Sequence, residues 1–406
     1  MEPWKRTLYI LFVGQAISAV GFAVFFPFLP LYVADLGTNT GLSLEFWAGM
    51  VFAGQALTMA IASPFWGTLA DRYGRKPMIE RAMFGGAIII LLMGFARSAE
   101  ELALLRAIQG VITGTISAAN ALAASTVPRH RMGYAMGMLQ VAMWGGVAIG
   151  PLIGGLIADT FGFRAAFIAT AVLLLIAWVI VRVGVHETFT PPDPSIRRPG
   201  LLAAWRIMLG RSGVAVAYLV RFLSWLGPTM LIPILPLFIQ SILHGSERIS
   251  TFTGLVVGIS SATGTASALF LGRFGDRRGH RRVLIGSGLV AALFFLPQGF
   301  VTEGWQLLVL QAIAGAAPGG MGPALSALLA QYTPPGEEGV VYGLDNSVSA
   351  ASRAAAPLLG AGIAIWFGPA GIFFAAGLIL SCTVALVALF LRDRPPQPVV
   401  TTPSRP

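Results

Sequence analysis

Long apolar stretches alternate with short polar gaps from one end of the chain to the other. Twelve stretches can be marked, at 8–33, 45–70, 77–96, 101–125, 132–158 and 164–184, then at 212–240, 251–273, 282–301, 304–330, 338–363 and 369–391. A helix needs about 20 mainly apolar residues to cross a bilayer. Barrel strands would instead show alternation over ~10-residue segments. Lipid cannot hydrogen-bond an open backbone, so the stretches are predicted to be helices. The expected fold is an all-α membrane protein of twelve transmembrane helices in two six-helix bundles. The widest polar interruption reads "HETFTPPDPSIRRPG", from His186 to Gly200. It divides the chain into an N-terminal bundle (1–184), a linker (185–211) and a C-terminal bundle (212–394), with a disordered tail (395–406). Within the linker region, Ser195 to Gly213 interleaves apolar residues with arginines. It reads either as a short helix lying on the membrane surface or as an unstructured tether.

Composition strengthens this reading. Of 406 residues, 56% are hydrophobic and 11% charged, against roughly 25% charged in a soluble domain. The net charge of +10 does not point to nucleic acid, because the basic residues sit in the gaps and form no continuous face. Basic gaps are what the positive-inside rule predicts. One side of the membrane collects most Lys and Arg residues, among them Lys5, Arg6, Arg72, Arg75, Lys76, Arg277 and Arg278, while the other holds Arg97, Arg164 and Arg248. Both termini are therefore expected in the cytoplasm of a cell bounded by this plasma or inner membrane. The first apolar run exceeds the ~7–15 residues of a signal-peptide core and reads as a retained span. Cys382 is the sole cysteine and there are four histidines, so no internal disulfide, metal cluster or cofactor is expected. Cys382 lies in an apolar run and reads as a buried small hydrophobe.

The two halves repeat one another. "FPFLPLYV" (Phe26 to Val33) matches "IPILPLFI" (Ile232 to Ile239), placing Pro27 opposite Pro233. "GTLADRYGRKP" (Gly67 to Pro77) matches "GRFGDRRGHRR" (Gly272 to Arg282), placing Asp71 opposite Asp276. "LLRAIQG", ending at Gly110, matches "LVLQAIAG", ending at Gly315, and "GPLIGG" from Gly150 matches "APLLGAG" from Ala356. All four landmarks keep an offset of 205 or 206. Apolar composition alone does not produce collinear Pro, Asp and Gly. Two parallel six-span repeats suit alternating access, with the guest site between the halves near the midplane.

The same motifs carry a resemblance. The chain resembles a twelve-span transporter of the major facilitator superfamily, and within it the drug:proton antiporter branch. The resemblance covers essentially every span. "GTLADRYGRKP" is similar to that family's motif between spans two and three, "LLRAIQG" to its span-four motif, and "GVAIGPLIGG" (Gly146 to Gly155) to its span-five antiporter motif. The resemblance implies that Asp71 meets the start of span eleven, near Glu338 to Tyr342, when the cytoplasmic mouth is shut. By the repeat, Asp276 would meet the start of span five near Met132. Gly67, Arg72, Gly74 and Arg75, with Gly272, Arg277 and Gly279, complete the two gating motifs. The arginines serve topology at the least. The acid that relatives carry at the cytoplasmic end of span four is missing from "ASTVPRHR".

In span four, Arg106, Gln109, Thr113, Ser117 and Asn120 share one helix face, with Gly110 beside them. In span five, Gly146, Gly150, Pro151, Gly154 and Gly155 suit close helix packing, including packing against span eight. The expected cavity adds Gln15, Phe22, Phe26, Arg221, Trp225, Asn346 and Arg353. Each aromatic also suits ordinary packing, and each arginine also suits bonding to neighbouring carbonyls. Few acids lie inside spans. Asp35, at the outer end of span one, is the first candidate for carrying a coupled proton, with Asp345 and Glu80 behind it. Three arginines and few acids predict a cavity that tolerates anionic or zwitterionic guests. No nucleophile–base pair or metal constellation suggests an enzyme. The sequence thus predicts a monomeric exporter of amphiphilic small molecules driven by protons. The alternatives are a carrier or flippase for a defined anionic, sugar or lipid substrate and, in another class, a channel or receptor.

Overall fold

The computed structural model describes residues 2–128, 131–187, 213–243, 248–332 and 338–392. The surface-helix segment, most of the linker and the tail lie outside the described residues. Each predicted span corresponds to a helix or to two helices in line. Span one joins Pro3–Phe25, a 3-10 turn at Phe26–Phe28, and Leu29–Leu36. Spans two and three are Leu44–Tyr73 and Lys76–Met93. Span four is Ala99–Ile112 followed by Thr115–Thr126. Spans five and six are Met132–Phe161 and Phe163–Gly184. In the second half, span seven is Val214–Leu231 with Leu235–Ile242, and span eight is Ile249–Arg278. Span nine is His280–Phe295 with a 3-10 extension to Phe300. Span ten is Gly304–Ala314 with Ala316–Tyr332, and spans eleven and twelve are Glu338–Phe367 and Gly371–Phe390.

Ten helices among the described residues are long and apolar enough to cross a membrane. The two predicted spans missing from that set fall short for local reasons. Span three holds Lys76, Glu80 and Arg81 near its start. Span four breaks at Gly114, whose φ of +143° lies in a region that strains any residue with a Cβ. Breaks in spans one and seven come from proline, which lacks the amide donor and crowds the preceding turn. Pro27 and Pro30 act in span one, Pro233 and Pro236 in span seven.

Close contacts repeat in the same register as the sequence. A Cβ on Gly110 would collide with Thr58 and the Gln55 carbonyl, and one on Gly315 would collide with Ser260, the counterpart of Gln55. A Cβ on Gly154 would strike the Val24 backbone, and one on Gly360 would strike its counterpart, Met230. Gly146 and Gly150 rest on Ala19, Val20 and Ala23 of span one, while Ser352, in the position of Gly146, donates its hydroxyl to the Phe222 carbonyl at 2.8 Å. Small residues let helix backbones approach where apolar burial gives no advantage over lipid. The repeat is therefore a three-dimensional one. Cys382 is exposed rather than buried, because the apolar surface of a membrane helix faces hydrocarbon as readily as protein.

The halves meet at the end opposite the two gating motifs, called here the far end. Span five packs against span eight there. Gly155 abuts Ser250, Pro151 abuts Gly254, and Ala148 lies beside Gly258. Span two meets span eleven where Gly49 abuts Pro357 and Ala361. Ile232, Leu237 and Ile249 of the second half pack onto the far-end core of the first, around Phe28, Tyr32 and Phe167. Toward the motif end the same faces separate. On span eleven the face that touches Gly49 continues through Arg353 and Asn346, both exposed. On span five it continues through Val141 and Tyr134, exposed at 65% and 53%. The molecule is closed at the far end and open at the motif end.

Candidate functional site

The gap between the halves is the candidate guest site. Its clearest polar members come from the second half. Span eleven presents Arg353, whose guanidinium lies over the Trp225 ring of span seven, 5.5 Å from its centroid. Asn346 is exposed two turns nearer the motif end. A proline one turn beyond Arg353, at 357, marks where this face closes onto span two.

Beneath that surface lies an ion pair. Arg221 Nε donates to Asp345 Oδ1 at 2.6 Å, and Arg221 Nη2 donates to Ser326 Oγ at 2.7 Å. A longer contact reaches the Gly322 carbonyl at 3.5 Å. The side chains are 6% and 13% exposed. Tyr218, one turn away, donates to the Val341 carbonyl at 3.0 Å. Spans seven, ten and eleven are joined at this point. An arginine suits it, because its planar fork donates in several directions at once.

The first half is built differently. Arg106 is 2% exposed. Its Nε donates to the Val51 carbonyl at 3.2 Å, its Nη1 to Gln109 Oε1 at 2.5 Å, and the Phe25 and Phe52 rings flank it at 5.5 and 5.7 Å. Thr113 turns its hydroxyl back onto the Gln109 carbonyl at 2.8 Å and is buried. Three members of the span-four stripe thus bond to the protein itself and do not line the gap. Asn120 is half-buried, and the Ser117 side chain lies outside the described residues. Phe26 meets Phe52 edge-on at 4.9 Å, and Phe22 is half-buried near Gly86. Gln15 is buried with no hydrogen-bond partner for its Oε1.

The pseudo-twofold relation exposes a diagonal exchange. Gln15 occupies the place of Arg221, and Gln311 the place of Arg106. Gln311 Oε1, like Gln15 Oε1, is buried without a partner. Each half keeps one arginine and one glutamine, on different helices.

At the motif end, Gly74 and Gly279 end spans two and eight with φ of +97° and +95°, forming the tight turns. A Cβ on Gly67 or Gly272 would meet nothing, as expected of faces held apart. Arg72 is exposed over the Tyr73 ring at 5.3 Å, and Arg277 is exposed. The side chains of Asp71 and Asp276 lie outside the described residues, as do those of Met132 and of Glu338 to Val340. Two other acids bind the first motif loop. Glu187, just past span six, accepts from the Arg75 and Lys76 amides at 2.7–3.0 Å, capping span three. Glu80 pairs with Arg182 at 2.8 Å and with Lys76 at 3.6 Å. Lys76 Nζ reaches the Arg182 carbonyl at 3.0 Å, and the equivalent Arg281 reaches the Ala388 carbonyl at 2.6 Å. Each motif loop is strapped to the last span of its own half. Reading the span-four end alone missed Glu187, since its role is visible only when span six returns beside span three.

Asp35 does not reach the central gap. It is exposed at the far end, in a cleft of about 330 Å³ shared with Leu31, Asp159, Phe163, Gln240 and Ser250. Among the described side chains, Asp345 is the acid that lies inside a span beside the gap.

Comparison with known proteins agrees with this architecture. The family model of the Major Facilitator Superfamily matches residues 11–222 and again 217–406. The chain belongs to the major facilitator superfamily. It is a multi-pass membrane transporter, not an enzyme. It is 35% identical to the "Multidrug resistance protein MdtG" of Dickeya zeae (strain Ech586), covering 95% of this chain and 93% of the relative. Its identity to the protein of the same name from Serratia proteamaculans (strain 568) is also 35%, over 95% and 92%. Among solved structures it resembles the nucleoside transporter NupG, with a TM-score of 0.79 at 12% identity, covering 97% of this chain and all of that one. It also resembles the human organic anion transporter MFSD10 (TETRAN), with a TM-score of 0.67 at 19% identity, covering 95% and 100%. This superfamily fold explains why one helical repeat appears twice around a central gap.

Proposed function

We propose that this protein exports amphiphilic small molecules from the cytoplasm by alternating access, in exchange for protons. The observation that carries the reading is the gap itself. It is sealed at the far end by spans five and eight, open at the motif end, and lined by Trp225, Arg353 and Asn346. The name of the MdtG relatives supports drug efflux. The basic motif end faces the cytoplasm under the positive-inside rule, so the described conformer is inward-facing. Rigid-body rocking of the halves would open the far end instead. Asp71 and Asp276 then latch the cytoplasmic mouth.

For coupling, Asp345 replaces Asp35 as the proton carrier. As a carboxylate it holds Arg221 and joins spans seven and eleven. Protonated, it loses the ion pair and loosens that junction, so the proton acts on the helices that bound the guest. The proton thus acts beneath the guest surface rather than on it, and the protein functions as a monomer because both halves lie in one chain.

A second reading has a specific support. Among the described residues no carboxylate lies within ion-pair distance of Arg353, so a guest's anionic group fits beside it. Proteoliposomes with an acidic lumen separate the readings. Proton-coupled export predicts saturable uptake of a fluorescent amphiphile that collapses with the gradient. Uptake indifferent to the gradient would establish a uniporter or flippase. Steady ion conductance would establish a channel. Competition by anionic amphiphiles over cationic ones would favour the second reading.

A further inference from the structure

We infer that Asp159 is the latch of the far mouth, and that among the described residues it is the one carboxylate bridging the halves there, where two motif aspartates serve the other end. The inference rests on the alternating-access reading above. Asp159 lies in the last turn of span five. Its Oδ1 accepts from the Ser250 amide at 3.1 Å and its Oδ2 from the Thr251 amide at 2.6 Å. Those amides belong to the first turn of span eight, in the other half of the molecule. They are orphan donors that no residue within span eight can satisfy, and Arg248, the residue preceding that helix, supplies no side-chain cap. The carboxylate also meets the positive end of the span-eight dipole. Charge-assisted bonds of this kind are roughly twice as strong as neutral ones.

The surroundings make the contact a gate rather than a local cap. It sits at the end of the seam formed by Gly155 on Ser250 and Pro151 on Gly254, where rocking of the halves must separate spans five and eight first. Asp159 thus does for the far mouth what a cap does for a single helix, but across a boundary that moves. The repeat offers no second copy. The position 206 residues on is Ile365, which is exposed at 49%. The corresponding junction between spans two and eleven is apolar, with Gly49 on Pro357 and Ala361. Among the described residues the far mouth therefore carries a single carboxylate clasp.

Labelling rates test this directly. On a Cys382→Ser background, Leu31→Cys reports on the far cleft and Asn346→Cys on the motif-end gap. Removing an N-terminal helix cap shifts an equilibrium by roughly five- to thirtyfold. Asp159→Ala is expected to raise labelling at Leu31→Cys by about that factor and to lower it at Asn346→Cys. Asp159→Glu is expected to restore both rates, and Asp159→Asn, which keeps one acceptor without the charge, to fall between. Should the Ala variant fail to fold, the Asn and Glu variants carry the comparison. Unchanged rates, or rates that rise at both reporters, would overturn the latch. Asp71→Asn provides the control for the underlying reading, since it should move both reporters the opposite way. If Asp71→Asn moves them and no Asp159 variant does, the latch alone is wrong. If no variant moves either reporter, alternating access itself fails.

Discussion

Neutralising Asp345 is the most direct probe of the second half's polar junction. The pair is short, at 2.6 Å, and both side chains are largely buried. Removing one member of a buried pair leaves an uncompensated charge and costs about 3–5 kcal/mol. Asp345→Ala is placed at the upper end of that range, because Arg221 would retain only Ser326 and the distant Gly322 carbonyl. Asp345→Asn is placed at or below the lower end, since its amide oxygen still accepts from Arg221 Nε. The first half supplies a natural replacement. It carries Gln15 and Leu139 where the second half carries Arg221 and Asp345. Exchanging a buried pair for neutral residues of similar volume is often close to neutral in stability. Arg221→Gln combined with Asp345→Leu is therefore expected to recover most of the stability lost in Asp345→Ala, and none of the proton coupling. Thermal unfolding in detergent measures the first quantity. Uptake into proteoliposomes, with an acidic lumen and without one, measures the second. Two results would refute the reasoning: a double variant as unstable as Asp345→Ala, or gradient-driven uptake undiminished in Asp345→Asn.

Three further outcomes are expected. Gly154→Leu forces a side chain into the Val24 backbone and should cost at least the ~1–3 kcal/mol of an overpacked core; size-exclusion profiles of the tagged protein should show little monodisperse material, and a normal profile would refute the close contact. Glu187→Ala removes the cap on span three, worth about 0.5–2 kcal/mol; hydrogen exchange at Arg75 and Lys76 should accelerate while exchange in span twelve stays unchanged. Arg353→Ala should weaken inhibition by anionic amphiphiles about tenfold and leave that by neutral ones alone; equal loss for both classes would show that Arg353 supports the fold rather than the guest.

Much of the architecture is legible in the order of residues alone. Pro27 and Pro233, and Gly110 and Gly315, mark equivalent positions because each residue type answers a backbone or packing demand that recurs in both halves. The glycines of span five likewise signal close contact. What the sequence does not reveal is which neighbour a side chain finds. Arg106, Gln109 and Thr113 share a helix face, which suggests a cavity, yet Arg106 and Gln109 bond each other, and the Val51 carbonyl and the phenyl rings of Phe25 and Phe52 take up that face. Thr113 closes onto its own helix for the same reason that Ser and Thr do elsewhere in apolar surroundings. Asp35 and Asp345 are alike as letters. Their separation into a far cleft and a buried junction follows from helix positions that only packing sets. Asp159 and Glu187 escape notice because each acts on amides of a distant helix start, and a backbone amide leaves no mark in the sequence.

The crossed placement of Arg106, Gln311, Gln15 and Arg221 limits how far the halves remain interchangeable. A protein assembled from two copies of the first half would bury Arg106 twice, each time held only by neutral groups among the described residues. Two copies of the second would duplicate the Arg221–Asp345 junction and leave a pair of mateless glutamines. The chain holds one of each, so behind one wall of the gap sits a buried cation held by neutral groups and behind the other a neutralised couple.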